Sequence, residues 1–159
     1  MLTLLLDLAL FLGTFAVMEG FAWVMHRYVM HGWGWVWHKS HHEPRTGPFE
    51  LNDLYAVVFA APAIVAIYFG VHGVPPLLPI GLGITAYGAV YFTFHDGLVH
   101  RRYPFPKARS AYWKRLVQAH RFHHAVSTKE GCVSFGFLYA PPVRALKEKL
   151  KARGVEVSG

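Results

Sequence analysis

Residues 2–31 read LTLLLDLALFLGTFAVMEGFAWVMHRYVMH. From Leu2 to Met25 the stretch runs 24 residues with only two charges, Asp7 and Glu19. Wound as an α-helix it is about 36 Å long, enough to cross a hydrocarbon core of roughly 30 Å with some tilt. It does not read as a secretory signal: no basic segment leads it, it is too long for a signal core, and no small-residue cleavage site follows. The run ends on two histidines, His26 and His31. Two further apolar runs, 54–71 and 77–94, are 18 residues each, and the uncharged link His72-Gly73-Val74-Pro75-Pro76 between them reads as a tight turn. The expected fold is an all-α integral membrane protein with about three transmembrane helices (2–25, 54–71 and 77–94), the last two forming a helical hairpin.

Composition agrees. The chain is 53% hydrophobic and 16% charged, whereas soluble domains carry roughly 25% charged residues, so neither a soluble globule nor a disordered chain is expected. At 159 residues it is read as a single membrane domain, 1–159. One cysteine, Cys132, rules out an internal disulfide framework and any cysteine-based zinc or iron–sulfur site. The net charge of +7 is uneven: residues 1–94 hold three basic and five acidic residues, residues 95–159 thirteen and four. In a soluble protein that asymmetry would suggest nucleic acid. Here it reports topology, and no nucleic-acid partner is expected. Every Lys and Arg falls between the first and second spans or after the third. With three spans those regions share one side, which the positive-inside rule makes cytoplasmic. The expected location is the inner (cytoplasmic) membrane. Beyond the spans, Ser110 is a plausible cap for a helix running to His124. Val133–Pro142 is too short to span and should lie at the interface or under a cap. Residues 144–159 form a basic amphipathic tail suited to anionic membrane lipid.

Ten of the eleven histidines fall in four clusters: His26 and His31; His38, His41 and His42; His95 and His100; His120, His123 and His124. The order is HX4H, HX2HH, HX4H, HX2HH, all at or beyond the side of the membrane assigned by charge. A cytoplasmic, histidine-rich helical cap is therefore expected. In HX2HH the three imidazoles share one helix face and can converge on one ion or a pair. In HX4H, residues five apart diverge by about 140° on an ideal α-helix, so either two ions are served or the helix breaks. Gly32, Gly34 and Gly97 permit breaks. Imidazole is the commonest metal ligand in proteins, and ten exceed one ion's capacity but suit two. No HExxH motif points to a zinc protease, and no pair of Glu-x-x-His helices points to a soluble di-iron bundle. The remaining histidine, His72, reads as an ordinary turn residue. Glu43 and Asp96, next to ligands, are candidates to orient imidazoles. Trp33, Trp35 and Trp37 either line the site or form an interfacial aromatic belt. Glu19, on nearly the same face as His26, is either functional or paired within the bundle.

The stretches His26-Arg-Tyr-Val-Met-His31-Gly, Trp37-His38-Lys-Ser-His41-His42-Glu-Pro-Arg-Thr-Gly-Pro-Phe-Glu-Leu-Asn-Asp-Leu-Tyr, Phe94-His95-Asp-Gly-Leu-Val-His100-Arg-Arg-Tyr-Pro-Phe and His120-Arg-Phe-His123-His124-Ala resemble the membrane fatty acid hydroxylase superfamily, over roughly residues 20–145. The residues around the second and third boxes resemble its bacterial carotenoid-hydroxylating, non-haem di-iron branch. The resemblance implies two irons held by His26, His31, His38, His41, His42, His95, His100, His120, His123 and His124, with His95 or His100 a candidate for indirect contact, because one position of the third box reaches metal through water in the related desaturases. It implies O2, a ferredoxin-like electron donor, hydrogen abstraction from C3 of the β-ionone ring, and conversion of β-carotene to zeaxanthin through β-cryptoxanthin. The same boxes would serve a fatty acid or sterol hydroxylase or desaturase. A histidine-rich metal transporter would need ligands near the bilayer midplane, and these spans hold none there.

Overall fold

The computed structural model describes residues 1–157, and every regular element among them is helical. Helix α1 (Leu2–Val24) runs directly into a π-helical stretch, Met25–Trp33, which kinks at Gly32 near its end, so that one long apolar element extends from Leu2 to Trp33. Helix α2 (Trp35–His42) follows a break at Gly34, and a short 3-10 turn (Leu51–Asp53) leads into α3 (Leu54–Val71). Helix α4 (Leu77–Phe92) returns beside α3 and extends as a second π-helical stretch, Thr93–Val99. Helices α5 (Ala111–His123) and α6 (Val143–Lys151) complete the chain. Three helices are long and apolar enough to cross a bilayer: Leu2–Trp33, Leu51–Val71 and Leu77–Val99.

The second span begins and ends where its hydropathy does, despite Pro62 inside it. The first and third overrun the expected 2–25 and 77–94, because π winding carries each rod on into its histidines. None of α1 is buried, and Leu4, Leu8, Leu12 and Val17 all point outward. Soluble monomers rarely leave so large an apolar surface bare, and a hydrocarbon solvent is its natural cover. Helix α4 packs between α1 and α3. Its approach to α1 needs Gly83, where an added Cβ would come within 2.8 Å of the Phe11 carbonyl oxygen.

The buried core lies at one end of this bundle. Phe94, Leu116, Phe122, Phe137, Leu146 and Leu150 form its apolar part. Ser110 caps α5 as expected, its hydroxyl accepting from the Trp113 N–H at 3.3 Å. Leu146 and Leu150 place the apolar face of α6 in this core. The basic face, with Arg144, Lys149 and Lys151, stays outside.

Residues 133–140 run as an irregular strap over the core. Glu19 ties it down: its Oε1 accepts the N–H groups of Phe137, Leu138 and Tyr139 at 2.9, 3.0 and 3.1 Å, and its Oε2 accepts the Tyr87 hydroxyl at 2.8 Å. The one carboxylate deep in the first span is thus a structural anchor with four donors, which satisfies the cost of placing it there. Gly136 fits because a Cβ at that position would run into the Tyr139 carbonyl and the Glu19 carboxylate.

Candidate metal centre

All ten box histidines converge, and eight of them are buried: His26, His31, His38, His41, His42, His95, His120 and His123. The eleventh, His72, is exposed and donates to the Tyr68 carbonyl at 2.7 Å in the distant turn. The ten form two adjoining groups of five. In the first, the ligating nitrogens of His26, His31, His38 and His123 lie within 4.8 Å of one another, and His42 joins His31 and His123 at the same range. In the second, His41, His100, His120 and His124 meet in the same way. His95 completes it, with its Nε2 2.9 Å from that of His41.

Local winding explains how the boxes reach these positions. A π turn closes hydrogen bonds between residues five apart, which stacks positions i and i+5 that an α-helix would splay. The His100 N–H bonds the His95 carbonyl at 3.0 Å, so the third box itself closes a π turn, and its rings stand 4.5 Å apart. His26 and His31 are likewise 5.3 Å apart in the first π stretch. Each HX4H box therefore serves one group, and the third does so without the break that Gly97 would permit. A break does occur at Gly32, just after the first box, where φ and ψ are −108° and −126°. Each HX2HH box instead divides between the groups: α2 sends His38 and His42 to the first and His41 to the second, and α5 with its C-terminal cap sends His123 to the first and His120 and His124 to the second.

Seven imidazoles turn Nδ1 outward to an oxygen. His26 meets the Phe135 carbonyl (2.9 Å), His31 that of Lys129 (2.9 Å), His42 that of Val126 (2.9 Å) and His123 that of Val133 (3.0 Å). His38 meets Asn52 Oδ1 (2.7 Å), His41 Glu50 Oε1 (3.1 Å) and His95 Asp96 Oδ1 (2.8 Å). Only an Nδ1–H can donate to these acceptors, so each of the seven Nε2 atoms carries a lone pair facing inward. Nε2 atoms of paired rings then stand 3.2 Å (His26–His38), 3.1 Å (His31–His123) and 2.9 Å (His41–His95) apart. Lone pairs at that distance repel unless a cation lies between them. With metal–imidazole bonds of roughly 2.1 Å, ligands at right angles sit about 3.0 Å apart, which matches. The His42 Nε2 is buried with no partner at all. The donor set fits two metal ions with up to five imidazoles each, more than the four ligands of a structural zinc.

Burial also sets the charge state. It pulls His38 down to about 3, His42 and His100 to about 4 and His124 to about 2, so these imidazoles are neutral and ready to ligate near pH 7. His41, His120 and His123 are lowered well below the usual value for the same first reason. Aromatic walls keep water away: the Phe137 ring stacks on His26 at 5.2 Å and Tyr91 on His95 at 4.8 Å.

The two acidic residues singled out in the sequence part ways. Asp96 holds His95, whereas Glu43 is exposed and pairs with Lys39 at 3.3 Å. The carboxylate that meets α2 is Glu50, which, like Asn52, comes from the turn before α3. That Glu-Leu-Asn-Asp segment lies within the motif stretch after the second box. Of the three tryptophans, Trp35 lines the first group, 5.1 Å from His31 and 5.2 Å from His42; Trp37 packs on Tyr55, and Trp33 is exposed. Cys132 also lies against the first group, but burial pushes its thiol up to about 12, which keeps it protonated.

Comparison with known proteins bears on what such a centre does. The chain is 60% identical over 137 residues to a β-carotene hydroxylase of Pantoea ananas, covering 86% of this chain and 78% of that one. It is 53% identical over 145 residues to a β-carotene hydroxylase of Paracoccus sp. (strain PC1), covering 90% of each chain. A chloroplastic β-carotene 3-hydroxylase of Haematococcus lacustris is 45% identical over 142 residues, 84% of this chain and 43% of the longer relative. No solved structure matches. The profile of the fatty acid hydroxylase family matches residues 11–140, which hold all ten box histidines, and the chain belongs to that family.

Proposed function

We propose that this protein is a membrane di-iron monooxygenase that hydroxylates C3 of the β-ionone rings of β-carotene, giving zeaxanthin by way of β-cryptoxanthin. The observation that carries the reading is the pair of five-imidazole groups at one end of an apolar bundle, in a chain similar to β-carotene hydroxylases over most of its length. A carotene dissolves only in the hydrocarbon of the bilayer, so an enzyme embedded there takes it laterally.

An unactivated ring C–H bond needs an oxidant that no side chain supplies, and two irons reacting with O2 would provide it. His26, His31, His38, His42 and His123 would hold one iron, and His41, His95, His100, His120 and His124 the other. The chain's own groups do the positioning. Carbonyls of the strap and of the loop after α5 fix the tautomer and tilt of four imidazoles, and Asn52, Glu50 and Asp96 fix three more. Phe137 and Tyr91 exclude water from the inner faces of the rings. The Glu19 anchor holds the strap, and with it Phe135 and Phe137, over the centre.

Inserting one oxygen atom of O2 and reducing the other to water consumes two electrons. On this reading they come from a ferredoxin-like protein on the cytoplasmic side of the inner membrane. Arg101, Lys107, Lys114 and Arg121 line an open groove of about 840 Å³ on the outer face of α5, a surface that favours an acidic donor.

The test is a pigment profile. In a bacterial host that accumulates β-carotene, expression should produce β-cryptoxanthin and zeaxanthin on chromatography of the extract. Unchanged β-carotene, with the protein in the membrane and a ferredoxin and its reductase co-expressed, would contradict the reading and favour a fatty acid or sterol substrate.

A further inference from the structure

The oxygens behind the two histidine groups differ in charge, and one arginine organises the difference. All five imidazoles of the first group lean on neutral oxygens: four backbone carbonyls and the Asn52 amide. In the second, His41 and His95, the pair in closest Nε2 contact, lean on the carboxylates of Glu50 and Asp96. Arg102 bridges both. Its Nη1 lies 3.5 Å from Glu50 Oε1 and 3.4 Å from Asp96 Oδ2. Both its nitrogens also grip Asp53, at 2.6 and 2.8 Å, and its Nη2 donates to the Pro48 carbonyl at 3.0 Å. The Arg102 side chain is only 12% exposed, and those of Glu50 and Asp96 are 7% and 10% exposed.

We propose that the two metal positions are unequal and that Arg102 is the positioning residue behind the inequality: by tying Glu50 to Asp96 it makes the position bounded by His41, His95, His100, His120 and His124 the tighter-binding and more readily oxidised of the two. The inference rests on the reading of both groups as metal-holding. A carboxylate accepting from Nδ1–H pushes electron density into the imidazole and raises the basicity of its Nε2, which a neutral carbonyl does less well. Two such carboxylates at one centre would repel and drift without a shared cation. The fork of a guanidinium holds them in a fixed geometry that a flexible ammonium does not reproduce. Three carboxylates face one guanidinium in this network, so negative charge remains behind His41 and His95. Among the described residues no acidic side chain bonds a histidine of the first group.

The test uses the full-length protein in detergent, loaded with ⁵⁷Fe and examined by Mössbauer spectroscopy and competitive chelation. The wild type should hold two irons in two quadrupole doublets of equal area. Arg102→Gln should shift one doublet, leave the other in place, and weaken iron at the shifted position by roughly 10–100-fold, and Arg102→Lys should restore part of that loss. Asp96→Asn, which keeps the side chain's size, should move the same doublet, and decides the matter if Arg102→Gln does not fold. Two irons in one unresolved doublet, or both doublets moving together in these variants, would overturn the inference while leaving the two-metal reading intact. Fewer than two irons in the wild type would overturn both.

Discussion

Five imidazoles meet in each histidine group, yet the groups are assembled from different kinds of structure. The first is closed from above: Phe135, Val133, Lys129 and Val126 present carbonyls from the strap and the loop after α5, and the strap in turn hangs on Glu19 in the first span. The second is held from the side by an ionic knot of Glu50, Asp53, Asp96 and Arg102 that joins the turn before α3 to the end of the third span. One centre thus depends on the path of the backbone and the other on four charged side chains. The first should be sensitive to whatever moves the strap and tolerant of charge changes elsewhere. The second should show the reverse.

The largest effects should come from removing a ligand. His123→Ala from the first group and His41→Ala from the second should each abolish hydroxylation while leaving membrane insertion intact. Each variant should also lose one iron and keep most of the other, as counted by metal analysis of the purified protein. Loss of both irons from either variant would mean that the groups are not separable.

Glu19→Ala comes next. It strips three strap N–H groups and the Tyr87 hydroxyl of their acceptor, and a hydrogen bond to a charged group contributes about 1.5–3 kcal/mol. Unfolding in detergent should show a loss of roughly 3 kcal/mol, with iron lost first from the group under the strap. Asn52→Asp sharpens the contrast directly, because it sets a carboxylate behind His38 where the wild type has an amide. Iron in the first group should then be held more tightly, and the two Mössbauer doublets should draw together. The smallest effect is expected at the groove on α5. Lys114→Glu with Arg121→Glu should leave both irons in place and raise KM for a reduced acidic donor about tenfold, an effect that salt erases.

The sequence made some of this legible and hid the rest for physical reasons. Span 54–71 follows from hydropathy alone because nothing chemical interrupts it. All ten histidines follow from their spacing. The division of the ten does not, since an α-helical projection splays His95 from His100 and only π winding stacks them. Adjacency also misleads. Glu43 follows His42 directly, but the helix ends there and the side chain turns to Lys39. Glu50, seven residues further along, reaches back to His41 through the turn before α3. The carbonyl partners of the first group leave no mark in the sequence, because any residue type supplies a carbonyl. The path of the loop after α5 places those of Val126 and Lys129, and the strap, tied down by Glu19 and fitted by the space at Gly136, places those of Val133 and Phe135.

The central claim, that the ten imidazoles form two separate five-ligand metal positions, is tested most directly by counting iron in the full-length protein purified from iron-replete membranes. Two irons per chain, falling to one in both His41→Ala and His123→Ala, is the predicted result. A single iron in the wild type, or a count unchanged by either substitution, would contradict it.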